Sequence, residues 1–328
     1  LKGLKLELDL KVGTLDTDIK ALKKAARQSI GPEFNKRIEQ IVKTGLLEIK
    51  NDFKIYWNNF PIARLQQGKD YLEPEISLIV DDIIEMPEQR KLRSYLEKWL
   101  KEKINFTLKS LIDLKSLKES NSSIRALAYQ LYENNGVVKR DTVSDYLNKL
   151  GQEERKILRN LGVKFGRYHI FLFKLLKPEA VLLRVLLWKN FHQKYFDLDP
   201  PKFGLNFIED KKFKNKNFML LCGFENFDKY FVRIDILERL FIQIINTNKE
   251  IKDNNKEIKL IPEMLNLLGC NKENFKTLIQ GMSYKTFEKN NDLYFKYFPN
   301  NKGKLKKFSK KNQLSDNPFN VLKNINFT

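Results

Sequence analysis

Val163-Lys164-Phe165-Gly166-Arg167-Tyr168-His169-Ile170-Phe171-Leu172-Phe173 alternates side-chain character on either side of a glycine. That pattern predicts two short strands turned back on each other around Gly166. Helical segments precede it. Ile124 to Tyr132 carries a helical stripe and stops at Asn134-Asn135-Gly136. Asp141-Thr142 opens a helix presenting Val143, Tyr146, Leu147 and Leu150. Gly151 turns the chain, and Glu153 to Leu161 forms a third helix closed by Gly162 in a left-handed stop. Beyond the hairpin, Lys177-Pro178 starts a strongly apolar helix that runs through Trp188.

The same order returns downstream of a linker at Asp199-Pro200-Pro201. A polar loop, Asp210 to Asn217, leads to strands at Met219–Phe224 and Phe231–Ile234, and Asp235 caps a helix to about Ile245. Residues 246–259 read as a mobile polar loop. Pro262 to Leu268, Gly269 and Asn271 to Gln280 make two helices. Tyr284–Phe287 and Leu293–Phe298, joined through Asn290-Asn291-Asp292, make a closing hairpin. Short helices followed by a hairpin is the element order of a winged-helix unit, in which a helix and the wing face nucleic acid or a protein partner.

Upstream, Leu4 to Leu10 alternates apolar and charged residues as a strand does. Ile19, Leu22 and Ala26 mark one helix, Gly31-Pro32 resets the chain, and Phe34, Ile38 and Ile41 mark a second that stops at Gly45. Leu46–Ile49 and Phe53–Trp57 flank Asn51-Asp52 as a hairpin, and residues 60–80 read as irregular extended chain broken by Gly68 and Pro74. Pro87 opens a long helix whose stripe of Leu92, Leu96, Trp99, Leu100, Ile104, Leu108 and Leu111 belongs to the core. Four regions follow: a mixed 1–82, a helical 83–198 with the winged-helix-like unit, a strand–helix–helix–hairpin 199–299, and a basic tail 300–328. The fold class is α+β and predominantly helical, a helical bundle with winged-helix-like units and small antiparallel β elements.

Charge narrows the partners. The 328 residues hold 61 Lys and Arg against 41 Asp and Glu, a formal net charge of +20. Such a field attracts polyanions, nucleic acid first. No apolar run reaches the roughly 20 residues of a membrane helix, so a cytoplasmic location without membrane contact is expected. Cys222 and Cys270 are too few for a four-ligand zinc site and read as small buried hydrophobes. Neither G-x-x-x-x-G-K-[ST] nor G-x-G-x-x-G nor G-x-S-x-G occurs. His169 reads as a hydrogen-bonded structural residue and His192 as the cation closing its helix. Asp81, Asp82 and Glu85 read as a solvated first turn rather than a Mg²⁺ site. No self-contained catalysis and no cofactor are expected in this chain.

Several stretches also resemble a known family in an unbroken order. Phe60-Pro61-Ile62-Ala63-Arg64-Leu65 with Gly68 and Leu72-x-Pro74 is similar to a G-x-P-V-A-R-L…G…L-x-P segment of helicase-related proteins in alphaproteobacteria. Arg125-Ala126-Leu127-Ala128-Tyr129-Gln130-Leu131, with Glu133-Asn134 and Gly136, resembles R-A-L-A-F-Q-L-x-E-x-x-G. Leu161 to Ile170 with Leu175-Leu176-Lys177-Pro178 resembles L-G-V-R-F-G-x-x-x-I…L-L-K-P, and Asp199-Pro200-Pro201, Val232 to Leu240 and Leu267 to Cys270 also fit. These helicases resemble the suppressor-of-Var-three type, superfamily 2 DExH RNA helicases. The resemblance implies the C-terminal accessory part alone, with ATP and Mg²⁺ chemistry in two motor domains upstream of Leu1; the non-Met start agrees. Lys164 in place of Arg, the Lys-rich surface and the polar 246–259 stretch depart from the pattern.

The expected function is therefore to hold RNA backbone near a helicase motor, with RNA or another nucleic acid, the motor and a ribonuclease as partners. Lys164, Arg167 and Lys174 around the hairpin are the first candidate contacts. Lys302, Lys304, Lys306, Lys307, Lys310 and Lys311, in the acid-free stretch from Asn300 to Lys311, are the second. The competing readings are a protein-interaction scaffold and a free-standing winged-helix DNA-binding protein.

Overall fold

The computed structural model describes residues 3–5, 16–81, 84–117, 122–209, 215–250 and 257–298. Leu4 is wholly buried and its carbonyl accepts from the Asp81 amide at 3.0 Å. The rest of the expected Leu4–Leu10 strand lies outside the described residues.

Helix α1 (Asp16–Thr44) is continuous, so Gly31-Pro32 does not reset the chain. A proline inside a helix forfeits one backbone bond and crowds the turn before it. Phe34, Ile38 and Ile41 just beyond are fully buried, and at about 1.5–3 kcal/mol per buried side chain that gain outweighs the defect. Gly45 ends the helix with φ +59°, its amide bonded to the Ile41 carbonyl.

Strands β1 (Leu47–Ile49), β2 (Lys54–Trp57), β3 (Phe60–Asp70) and β4 (Glu73–Leu78) form one antiparallel sheet in chain order. Residues 60–80 are thus regular, against expectation. The register between β3 and β4 shifts between Gln66 and Asp70, and this irregularity is where Gly68 of β3 and Pro74 of the edge strand β4 are tolerated. The stripe after Pro87 is shared by α2 (Met86–Thr107) and α3 (Lys109–Lys115), with the break at Leu108, where φ is −107° and ψ 22°. Leu92, Leu96, Leu100 and Ile104 face one core with Ile38, Ile55, Leu127 and Leu187.

Three units of the same topology follow. The first is α4 (Ser122–Glu133), β5 (Val137–Lys139), a 3₁₀ turn at Arg140–Val143, α5 (Ser144–Asn148), α6 (Gln152–Asn160), β6 (Val163–Phe165) and β7 (His169–Leu172). A 3₁₀ turn at Phe173–Leu176 leads into the second: α7 (Pro178–His192), β8 (Phe207–Glu209), α8 (Lys216–Leu221), β9 (Phe224–Phe227) and β10 (Tyr230–Arg233). The third is α9 (Ile234–Glu250), β11 (Ile258–Lys259), α10 (Pro262–Leu268), α11 (Lys272–Gly281), β12 (Tyr284–Lys289) and β13 (Asp292–Tyr297). In each, a helix precedes a strand, further helix precedes a hairpin, and the last strand inserts between the other two. The sheet orders are β5-β7-β6, β8-β10-β9 and β11-β13-β12. The architecture is α+β.

Two expectations fail in the second and third units. Met219 is helical, because Asn215 accepts from the amides of Asn217 and Phe218 at 3.0 and 3.1 Å and so nucleates α8. Residues 246–250 continue α9 rather than starting a loop, carried by the apolar stripe of Ile236, Leu240 and Ile244.

Arg184 of α7 joins the first two units. It is fully buried, and its guanidinium donates to the carbonyls of Asn135, Leu175 and Leu221 at 2.6, 3.3 and 2.6 Å. Asn135 follows α4 and Leu221 ends α8, so one cation serves the electronegative ends of two helices. Burial pulls its pKa down to about 10, which still leaves it charged.

Candidate nucleic-acid interface

The β6–β7 turn is held from inside the protein. The amides of Arg167, Tyr168 and His169 all donate to the Glu238 carboxylate on α9, at 2.5, 2.9 and 3.0 Å. Three successive amides converging on one anion form a backbone nest. Gly166 makes the approach possible, since a Cβ there would stand 2.4 Å from the Glu238 carboxyl carbon. Arg140 closes the turn, its side chain donating to the Gly166 carbonyl at 2.7 Å and its amide to the Tyr168 carbonyl at 2.8 Å.

Beneath the turn His169 lies between two carboxylates. Its Nε2 is 2.7 Å from Glu225 Oε2 on β9, and its Nδ1 is 3.7 Å from Glu238 Oε1. Lys139 on β5 donates to the other Glu225 oxygen at 2.9 Å. Two cations and two anions therefore meet where all three units touch. Burial alone would favour neutral imidazole, but the two carboxylates outweigh it and raise the His169 pKa above its ordinary value. Burial likewise pushes both acids up, and hydrogen bonds overcome it, from His169 and Lys139 for Glu225 and from His169 and the three amides for Glu238; both carboxyls end below their ordinary range. His169 is thus the hydrogen-bonded structural residue expected of it. His192 stands in the last turn of α7, as expected, and burial and the neighbouring Lys194 push its pKa down.

On the outer side of the turn a groove of 350 Å³ opens between the first and third units. Its walls include Arg167, Tyr168, Phe241, Tyr284, Lys296 and Tyr297, with no carboxylate in the lining among the described residues. The Arg167 guanidinium stands 5.5 Å from the Phe241 ring centre. Tyr168 meets Phe241 edge-on at 5.3 Å, and Tyr284 lies 5.1 Å from Tyr297. Burial, then the neighbouring phenols, raise Tyr168 above the ordinary tyrosine range, so its hydroxyl stays a donor. Tyr297 and Phe298 are about half exposed, and Lys285 lies 4.2 Å over the Phe298 ring. Cations and aromatic faces side by side can hold phosphates and stacked bases together.

Lys164, Arg167 and Lys174 are all exposed and make no ion pair among the described residues. The structure does not gather them at one spot. Arg167 enters the groove, whereas Lys174 follows Leu172 at the far end of β7, about 13 Å along that strand. Lys164 sits on β6 opposite Phe171. Lys302, Lys304, Lys306, Lys307, Lys310 and Lys311 lie outside the described residues, as does Asp82. At the opposite edge of the third unit, Lys259, Lys276 and Lys289 are paired with Asp292, Glu288 and Glu257. Those cations are neutralised, whereas Arg167 and Lys296 meet no carboxylate in the groove lining among the described residues. Sequence reading missed Glu238, Phe241, Tyr284, Lys296 and Tyr297. Only the interleaved Tyr294-Phe295-Lys296-Tyr297-Phe298 carries a visible signal.

No protein-family model, curated protein or solved structure matches the chain. Among the described residues no helix is long and apolar enough to cross a membrane, and no group of three or more His, Cys, Asp or Glu is placed to hold a metal ion. Cys222 is buried and Cys270 half-buried, and neither forms a disulfide among the described residues.

Proposed function

We propose that this chain is a nucleic-acid-binding module built from three tandem winged-helix-like units, acting as the accessory region of an RNA helicase whose ATP- and Mg²⁺-dependent motor lies elsewhere. The observation that carries the reading is the groove of Arg167, Lys296 and four aromatic rings against the β6–β7 turn, which no carboxylate lines among the described residues. The +20 net charge and the repeated helix–hairpin topology support it. Arg167 and Lys296 neutralise phosphates, while Tyr297 offers a face to an unpaired base; sequence is not read. Lys164 and Lys174 extend the contact along the first unit.

Fluorescence anisotropy of a labelled single-stranded RNA at several salt concentrations tests this. Replacing Lys164, Arg167, Lys174 and Lys296 by Ala reduces the log–log salt slope by about 0.7 for each phosphate that is no longer neutralised. An unchanged slope and affinity in that variant overturns the assignment. One observation favours a second reading, a protein scaffold that docks the motor or a ribonuclease: the β6–β7 turn already spends its backbone donors on Glu238. On that reading the isolated chain shows no salt-dependent RNA binding at all.

A further inference from the structure

The hairpin of the third unit has a face that the groove does not use. Tyr284 on β12 and Leu293 and Phe295 on β13 are buried in that unit's core. Strand alternation therefore sends Lys285, Phe287 and Lys289, with Asp292, Tyr294 and Lys296, to the opposite side. The register sets Lys285 directly across from Lys296, Phe287 across from Tyr294, and Lys289 across from Asp292. Lys259 on β11 stands across from Tyr294 and joins them. Phe298, whose amide donates to the Ser283 carbonyl at 2.9 Å, extends the face beyond Lys296.

Charge is sorted along this face. Towards the tip, Lys259 pairs with Asp292 and Lys289 with Glu257, both at 2.5 Å. Lys289 also lies over the stacked Phe287 and Tyr294 rings, 5.2 and 5.7 Å from their centres. The two acids here, Asp292 and Glu257, are thus both engaged by tip lysines. At the base, Lys285 and Lys296 meet no carboxylate within ion-pair distance among the described residues. Residues paired this way hold their Cβ atoms about 4.5–5.5 Å apart, where like charges destabilise a sheet. Lysine on an edge strand guards against stray pairing, which accounts for Lys285 on β12. It does not account for Lys296, because β13 is the central strand. An anion seated between the two ammonium groups turns their repulsion into attraction. Lys285 Nζ also lies 4.2 Å from the centre of the Phe298 ring, which is half exposed. A phosphate seat beside an open ring suits a single-stranded polynucleotide, whereas a double helix keeps its bases stacked inward and leaves the ring unused. Lys296 lines the groove as well, so the seat continues from it.

We infer that Lys285 and Lys296 seat one backbone phosphate of a single strand leaving the groove, with the adjoining base on Phe298, and that the strand does not cross the hairpin tip. This rests on the reading of the groove as a nucleic-acid site and adds the path by which the strand leaves it.

Fluorescence anisotropy of a labelled oligouridine with the full chain, at several salt concentrations, tests it. Lys285→Gln lowers the log–log salt slope by about 0.7, while Lys259→Gln, at the tip, leaves it unchanged. Phe298→Leu weakens the single strand about fivefold or more, leaves a duplex of the same length as tightly bound as before, and does not lower the melting temperature. An unchanged slope in Lys285→Gln, where the fourfold Ala variant above lowers it, overturns this inference and spares the groove. If neither variant lowers the slope, the groove reading falls and this inference falls with it. Equal losses in Lys285→Gln and Lys259→Gln also overturn it, because the attraction is then only that of a basic chain. So does an equal weakening of single strand and duplex by Phe298→Leu.

Discussion

Replacing Glu238 by Gln tests the junction of the three units with little change of shape. Glu238 Oε1 accepts from Tyr168 and His169 and Oε2 from Arg167. Gln keeps one acceptor oxygen and presents an NH₂ where the other stood. The Arg167 amide then faces a donor, and protonated His169 loses one of its two counter-charges. Removing one partner of a buried ion pair costs about 3–5 kcal/mol, and the same range follows from one orphaned amide plus weakened charge-assisted bonds. The penalty depends on pH. His169 titrates above its ordinary 6.5 in the folded chain, so its contribution is complete below about pH 6.5 and fades as pH rises through the higher folded value. Glu225 and Glu238 titrate below 4.5, so theirs is complete above that and fades as pH falls through the lower folded values. The gap between parent and variant is therefore widest between about pH 4.5 and 6.5 and narrows above it. Urea denaturation across pH 5–9, with hydrogen exchange at residues 167–169, measures it. A loss below about 1 kcal/mol at pH 6, or three amides still fully protected, would refute the reasoning.

Two further substitutions probe the frame that holds these sites. Arg184→Ala leaves the carbonyls of Asn135, Leu175 and Leu221 without their shared donor and opens a cavity in α7, at a cost of about 3 kcal/mol or more in chemical denaturation. Gly68→Ala sets a Cβ 1.8 Å from the Glu73 carbonyl oxygen, which forces β3 and β4 apart for about 2 kcal/mol or more, visible as a lower melting temperature.

Local patterns made most of the third unit and of the first legible. Gly162 and Gly269 stop helices with φ +92° and +71°, and Asn290-Asn291 turns β12 into β13 with both residues at positive φ. The second unit escaped, because β8 has only three residues and α8 only six, too short for periodicity to separate from loop. The Pro32 expectation failed because a local penalty was judged without the burial that offsets it. The groove was half visible. Arg167 stands out as a cation in a predicted hairpin, but its neighbours Phe241, Tyr284 and Lys296 lie more than 70 residues away and meet it only through the fold. Glu238 looked like one acid among many, since nothing local reveals that three amides will find it.

Arg184 has a consequence for how the chain is made. Its final acceptor, the Leu221 carbonyl, is 37 positions further along. As the nascent polypeptide leaves the ribosome, α4 and α7 emerge with a guanidinium that has only part of its eventual coordination. The bonds to Asn135 and Leu175 can form as soon as α7 is out, and the bond to Leu221 is added last, when α8 packs against the same guanidinium.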